Sequence, residues 1–196
     1  MNLCVFQGTF NPIHNAHLRV AEFVIKNFNI DKIIFIPAFE PPHKTFDPQM
    51  AQHRFNMVKL AIENNPQFDI SDIEYRRKGK SYTILTIEEL YETFKIDSKI
   101  HFIIGTDAFD KIESWYQADE LKKLVKFIVF VRENNFNDKK YDYLKEKGYD
   151  FELQQLSYEN ISSSTIRQLI KQKENTNKYL PKSVEEYIKK NGLYKN

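Results

Sequence analysis

Apolar residues along this chain gather in short unbroken runs, separated by longer stretches in which they recur every three or four positions. Leu3 to Phe6, Ile33 to Ile36, Ile100 to Ile104 and Phe127 to Val131 have strand length. Their continuous apolar character predicts strands buried on both faces. Between these runs, Leu18, Ala21, Val24, Ile25 and Phe28 share one side of a helix. So do Phe55, Val58, Ala61 and Ile62 within 51–64, and Ile87, Leu90, Tyr91 and Phe94 within 84–94. Phe68 to Tyr75 reads as a further strand with imperfect patterning, and Phe151 to Leu156 as another. Ser164 to Ile170 and Ser183 to Lys190 read as helices, with Gly192 as the stop signal of the second. The alternation predicts an α/β chain with a parallel sheet, flanking helices and a helical C-terminal portion, residues 1–196 forming a single domain.

Ligands of such sheets bind beyond the carboxyl ends of the strands, and the unusual residues of this chain cluster there. They are Gly8 to His17 after the first strand, Pro37 to Lys44 after the second, and Gly105 to Asp107 after Ile100 to Ile104. In the first segment, Gly8-Thr9-Phe10-Asn11-Pro12-Ile13-His14-Asn15-Ala16-His17, a turn leads into a helix with two histidines three apart at its entrance. Unpaired N–H groups and the positive end of the helix dipole attract phosphate at such a place, and imidazole adds a directed hydrogen bond. The alternative is an ordinary turn with surface or capping histidines. The spacing G-x-G-x-x-G is absent, and no Gly-Lys-Ser/Thr follows, so neither a dinucleotide fingerprint nor a P-loop is present.

Composition narrows the classes. A formal net charge of +2, from 29 Lys and Arg against 27 Asp and Glu, lacks the basic excess of a general nucleic-acid binder. The polar stretches 132–140 and 171–178 read as solvated loops or helix surfaces. The single cysteine, Cys4, lies in the first apolar run, so an internal disulfide is excluded and a reducing compartment is expected. No apolar run approaches the roughly 20 residues that span a bilayer. Met1-Asn2 leads straight into a core strand, and cytoplasmic residence without a membrane partner is the expectation. The five histidines, at positions 14, 17, 43, 53 and 101, have no cysteine partner beyond Cys4, which argues against a catalytic zinc site.

The segment from Gly8 to His17 resembles the N-terminal signature of the nucleotidyltransferase superfamily that contains nicotinate-nucleotide, pantetheine-phosphate and cytidylyl transferases. Near the other end, Ile161-Ser162-Ser163-Ser164-Thr165-Ile166-Arg167 is similar to its second signature. Pro41-Pro42-His43-Lys44, Ser81-Tyr82-Thr83, and Gly105-Thr106-Asp107 followed by Trp115 narrow the resemblance to bacterial-type nicotinate-nucleotide adenylyltransferases. The fold implied is a Rossmann-like parallel sheet. The chain departs from the family pattern at Gln7, where Gly is common, at Asn11 for Asp, and at Ala16 for Gly. Leu85 stands where an acidic residue often precedes Thr86.

The resemblance implies transfer of AMP from ATP to nicotinate mononucleotide, forming nicotinate adenine dinucleotide and pyrophosphate, with Mg²⁺ on the ATP phosphates. An anionic acceptor phosphate needs no serine or cysteine nucleophile, so the work lies in aligning two anions and stabilising the leaving group. His14, His17, Lys44 and Arg167 are the implied catalytic residues. Gly8, Thr9, Phe10, Gly105, Asp107, Ser163, Ser164 and Thr165, with His17 and Arg167, are assigned to ATP. Asp107 is implied to accept the ribose hydroxyls, with a helix cap as the alternative. Asn11, Lys44, Tyr82, Thr83, Trp115 and Arg132 are assigned to the acceptor. Trp115 is implied to stack on its pyridine ring, with a core anchor as the alternative. Other readings are a pantetheine-phosphate or other small-molecule nucleotidyltransferase, and a catalytically silent nucleotide sensor. A homo-oligomer is left open.

Overall fold

The apolar runs become the strands of one parallel sheet. The computed structural model describes residues 1–42, 45–131, 136–156 and 161–195. Its strands are β1 (Leu3–Gly8), β2 (Lys32–Pro37), β3 (Phe68–Ile70), β4 (Ile100–Gly105), β5 (Val125–Val131) and β6 (Phe151–Gln155). They pair in the order β3-β2-β1-β4-β5-β6, every pairing parallel. The helices in chain order are α1 (Asn15–Asn27), α2 (Pro48–Ile62), α3 (Ile73–Arg77), α4 (Thr83–Thr93), α5 (Thr106–Phe109), α6 (Ala118–Leu124), α7 (Asp142–Glu146), α8 (Ser163–Lys171) and α9 (Lys182–Asn191).

Alternation along the strands builds two cores, one on each side of the sheet. Cys4, Phe6, Phe35, Ile103 and Phe130 face α1, α2, α8 and α9, meeting Val20, Val24, Met57, Ile166 and Val184. Leu3, Val5, Ile36, Phe102 and Phe127 face the other way, onto Ile84 and Leu90 of α4, Phe109 of α5, Leu121 of α6 and Leu144 of α7. Local signals fix several helix ends. Asp47 caps α2 by accepting the N–H groups of Gln49 (2.9 Å) and Met50 (3.2 Å), with Pro48 in the first turn. Gly192 ends α9 at φ 62°, a left-handed position that glycine occupies without strain.

The chain runs outward from β1 through β2 to β3, then returns past β1 to add β4, β5 and β6. The connections that leave β1 and β4 therefore depart to opposite faces, and a crevice opens between the carboxyl ends of these neighbours.

One expected strand is corrected. Of Phe68 to Tyr75 only Phe68–Ile70 pairs, and Ile73 to Tyr75 lie in α3. Phe68 and Ile70 keep the two-residue period, whereas Ile73 falls out of phase. Asp72 instead favours a helical turn, accepting Arg76 N–H at its carbonyl (2.9 Å) and Arg76 Nε at its carboxylate (2.9 Å). The short helices α5, α6 and α7 had no apolar repeat long enough to announce them. Cys4 is fully buried, and burial pushes its thiol well above the ordinary range. No helix among the described residues is long and apolar enough to cross a membrane.

Phe127 of β5 is fully buried between the rings of Phe102, Phe109 and Tyr149. Phe127→Ala is expected to cost about 3–5 kcal/mol in urea unfolding. Tyr143→Ala, at a half-exposed ring, is expected to cost under about 1 kcal/mol in the same measurement.

Candidate active site

At the crevice between β1 and β4 lies a cavity of about 130 Å³ whose lining includes Gln7, Gly8, Phe10, His14, His17 and Gly105. The turn above it is shaped by two aromatic packings. Phe10 takes φ 47° and buries its ring between Phe6 (5.4 Å) and His17 (5.1 Å). A Cβ on Gly8 would lie 3.0 Å from that ring, so the close approach of Phe10 requires glycine there. The Asn11–Pro12 peptide is cis.

His14 is the N-cap of α1 and only 2% exposed, and His17 follows in the first turn. Their rings stack at 3.7 Å. The His14 backbone N–H donates to His17 Nδ1 at 3.2 Å, the backward half of a capping box. With Nδ1 accepting, the neutral His17 ring carries its proton on Nε2, so its other nitrogen is a donor. Both expected histidines thus stand at a helix entrance beside the cavity, where backbone donors and the dipole favour an anion.

Side chains from distant elements hold the turn's carbonyls. Arg54 of α2, 4% exposed, donates from Nη1 to Thr9 O (2.8 Å) and from Nη2 to Phe39 O (3.1 Å). Arg167 donates to Asn11 O (2.8 Å) and Ser164 Oγ (3.2 Å), and Ser163 Oγ donates to Pro12 O (2.9 Å). Tyr194 O–H donates to Asn11 Oδ1 at 2.6 Å, and burial pushes this phenol well above its ordinary range. The second signature therefore clamps the first. Ser162 caps α8 by accepting Thr165 N–H (3.1 Å), while Ser164 and Thr165 are exposed on its first turn.

On the other face of β1, Gln7 meets α3 and α4, and α3 in turn meets the loop after β2. Glu74, 1% exposed, accepts from Gln7 Nε2 (2.5 Å), Phe39 N (3.1 Å) and Thr86 Oγ1 (3.0 Å). Burial raises its carboxyl above the usual range against the pull of Ser81, Phe39, Thr86 and Arg77. Thr83 Oγ1 donates to Gln7 Oε1 at 2.8 Å. The Tyr82 ring lies 4.6 Å from that of half-exposed Tyr116. Half-buried Trp115 packs edge-on against Phe102 at 6.1 Å, so it has a core contact as well as an accessible part. Asp107 is exposed in the first turn of α5, whose cap is Gly105, so the carboxylate is not the helix cap.

Lys44, His43 and Arg132 lie outside the described residues. Arg54, Glu74 and Tyr194 were not anticipated. Arg54 had a readable signal, since it fills the apolar stripe of α2 between Ala51 and Val58. Tyr194 had none, its partner being the distant Asn11. Among the described residues no group of three or more His, Cys, Asp or Glu side chains is placed to hold a metal ion.

Known proteins are similar to this chain over most or all of its length. The family described as Cytidylyltransferase-like matches residues 5–169. A protein of Caldicellulosiruptor bescii named "Probable nicotinate-nucleotide adenylyltransferase" is 42% identical over 198 residues, covering 100% of both chains. One of the same name from Clostridium botulinum is 38% identical over 202 residues, again over 100% of both. The solved structure of Plasmodium falciparum nicotinic acid mononucleotide adenylyltransferase complexed with NaAD superposes with a TM-score of 0.77 at 25% identity, covering 98% of this chain and 97% of that one. The likeness extends over the whole sheet and over both clamped segments, and the chain belongs to the nicotinate-nucleotide adenylyltransferase family of cytidylyltransferase-like proteins.

Proposed function

We infer that the chain transfers AMP from ATP to nicotinate mononucleotide in the synthesis of NAD, releasing pyrophosphate and forming nicotinate adenine dinucleotide. The observation that carries this reading is the His14–His17 helix entrance at the β1/β4 crevice, gripped by the second signature at Ser163 and Arg167. An oxygen of the acceptor's 5′-phosphate attacks the α-phosphorus of ATP. The bond from that phosphorus to the bridging oxygen breaks, and the electron pair leaves with pyrophosphate. No protein nucleophile is required.

In this reading Gly8, Thr9 and Phe10 set the turn against the nucleotide, and His14 and His17 serve the reacting phosphates. His17 donates from Nε2 to the charge that develops in the transition state. Ser163, Ser164 and Thr165 offer the α8 entrance to phosphate, and Arg167 adds positive charge while holding Asn11. Gly105 leaves space above β4, and Asp107 accepts ribose hydroxyls. Lys44 and Arg132 are assigned to the acceptor phosphate on sequence grounds. Mg²⁺ belongs to the proposal as a companion of the nucleotide: Mg²⁺ is commonly held by substrate phosphates and water rather than a protein cage, and it would offset charge on the leaving pyrophosphate.

Asn11, Tyr82, Thr83 and Trp115 are assigned to the acceptor. The first turn of α4 has no side-chain cap and no acidic residue, so its N–H groups suit the negative carboxylate of nicotinate better than a neutral amide. Cytoplasmic residence goes with this reading, in keeping with the free, buried Cys4.

Incubation with ATP, Mg²⁺ and a panel of phosphorylated acceptors is expected to yield pyrophosphate and a product with the mass of nicotinate adenine dinucleotide. Exclusive formation of dephospho-coenzyme A or a cytidyl product would reject the assignment. His17→Ala should lower kcat by roughly tenfold to ten-thousandfold, while the thermal midpoint falls only by the few degrees that a lost capping contact costs. Near-normal turnover at saturation would remove His17 from the centre. Trp115→Ala should weaken nicotinate mononucleotide by about 1–3 kcal/mol and ATP far less, with Trp115→Phe retaining part of the binding. Equal effects on both substrates in titrations would leave Trp115 as a core residue only.

A further inference from the structure

Alternation along β1 turns Gln7 away from Phe6, toward α3 and α4. Both ends of its amide are engaged there: Nε2 donates to Glu74 Oε1 (2.5 Å), and Oε1 accepts Thr83 Oγ1 (2.8 Å). Glu74 in turn holds Phe39 N–H of the β2 loop and Thr86 Oγ1 of α4, and Thr86 accepts Arg77 Nη2 at 2.9 Å. One glutamine amide thus joins the end of β1, the β2 loop, α3 and the first turn of α4. A buried polar network of this kind holds a single arrangement, because alternatives leave buried groups unbonded.

Thr83 gives its hydroxyl proton to Gln7, so the hydroxyl cannot donate to an anionic acceptor without breaking that bond. The first-turn backbone N–H groups of α4 remain as donors on this side. Leu85 keeps the same turn free of a carboxylate. Gln7 and Leu85 therefore both act on the start of α4. We propose that Gln7 is a positioning residue for the acceptor, fixing the α4 entrance against β1 and the Glu74 carboxylate and so setting the affinity for nicotinate mononucleotide. The proposal rests on the assignment of Tyr82 and Thr83 to the acceptor.

Gln7→Met tests it, since methionine keeps the length and volume but removes both hydrogen bonds. The KM for nicotinate mononucleotide should rise about 5- to 30-fold, with the KM for ATP within about twofold and kcat within about threefold. Thr83→Val breaks the same link from the other end and should act in the same direction. The double variant should be no worse than about the poorer single one, because both remove one interaction. An unchanged acceptor KM in Gln7→Met, an equal rise for ATP, or additive effects in the double variant would overturn the positioning role. Absence of nicotinate mononucleotide turnover by the unsubstituted protein would overturn the acceptor reading and this proposal together. Normal turnover with an indifferent Gln7→Met would overturn the proposal alone.

Discussion

The carbonyls of the turn after β1 lie outside strand and helix, so the regular hydrogen bonding of the sheet cannot satisfy them, and leaving buried carbonyls unbonded is costly. This chain meets the constraint with side chains. Arg54 takes Thr9 O, Arg167 takes Asn11 O and Ser163 takes Pro12 O, while Tyr194 grips the Asn11 side chain. Because the carbonyls are held from behind, the turn keeps the shape that places His14 and His17 at the crevice. A guanidinium fork is suited to this task as well as to phosphate, since it presents several donors in a fixed plane.

The site divides across the sheet. Phe6 and Gln7 are consecutive, yet their side chains leave opposite faces of β1: Phe6 supports Phe10 and His17, and Gln7 supports Thr83. One peptide step of a central strand therefore separates the support of the β1 turn from the support of the α4 entrance. A rigid strand between two such supports fixes their relative placement, which a displacement that depends on alignment requires.

What could be read in the sequence follows from the range of each interaction. Unbroken apolar runs such as Phe127 to Val131 announced buried parallel strands, and Asn15 to Asn27 showed its helix by the spacing of Leu18, Ala21 and Val24. The two signatures marked His14, His17 and Arg167, which the fold brings to one place. Ile73 misled, because a short apolar spacing cannot distinguish the continuation of a strand from the start of a one-turn helix. The roles of Glu74, Arg54 and Tyr194 depend on partners that are remote in sequence, such as Gln7 for Glu74 and Asn11 for Tyr194. A buried charged side chain on an apolar stripe, as at Arg54, is the one local trace of such a role.

The clamp also has an order in time. The turn it grips is made near the start of the chain, and its grip comes from Ser163, Arg167 and Tyr194 near the other end. During synthesis all six strands leave the ribosome before α8 does, so the sheet can assemble while the turn still lacks these three contacts. The grip on the turn is completed last. A nascent chain interrupted before Ser163 would carry the strands of the sheet and both histidines, yet lack these three contacts to the turn that bears them, which separates the onset of folding from the completion of the site.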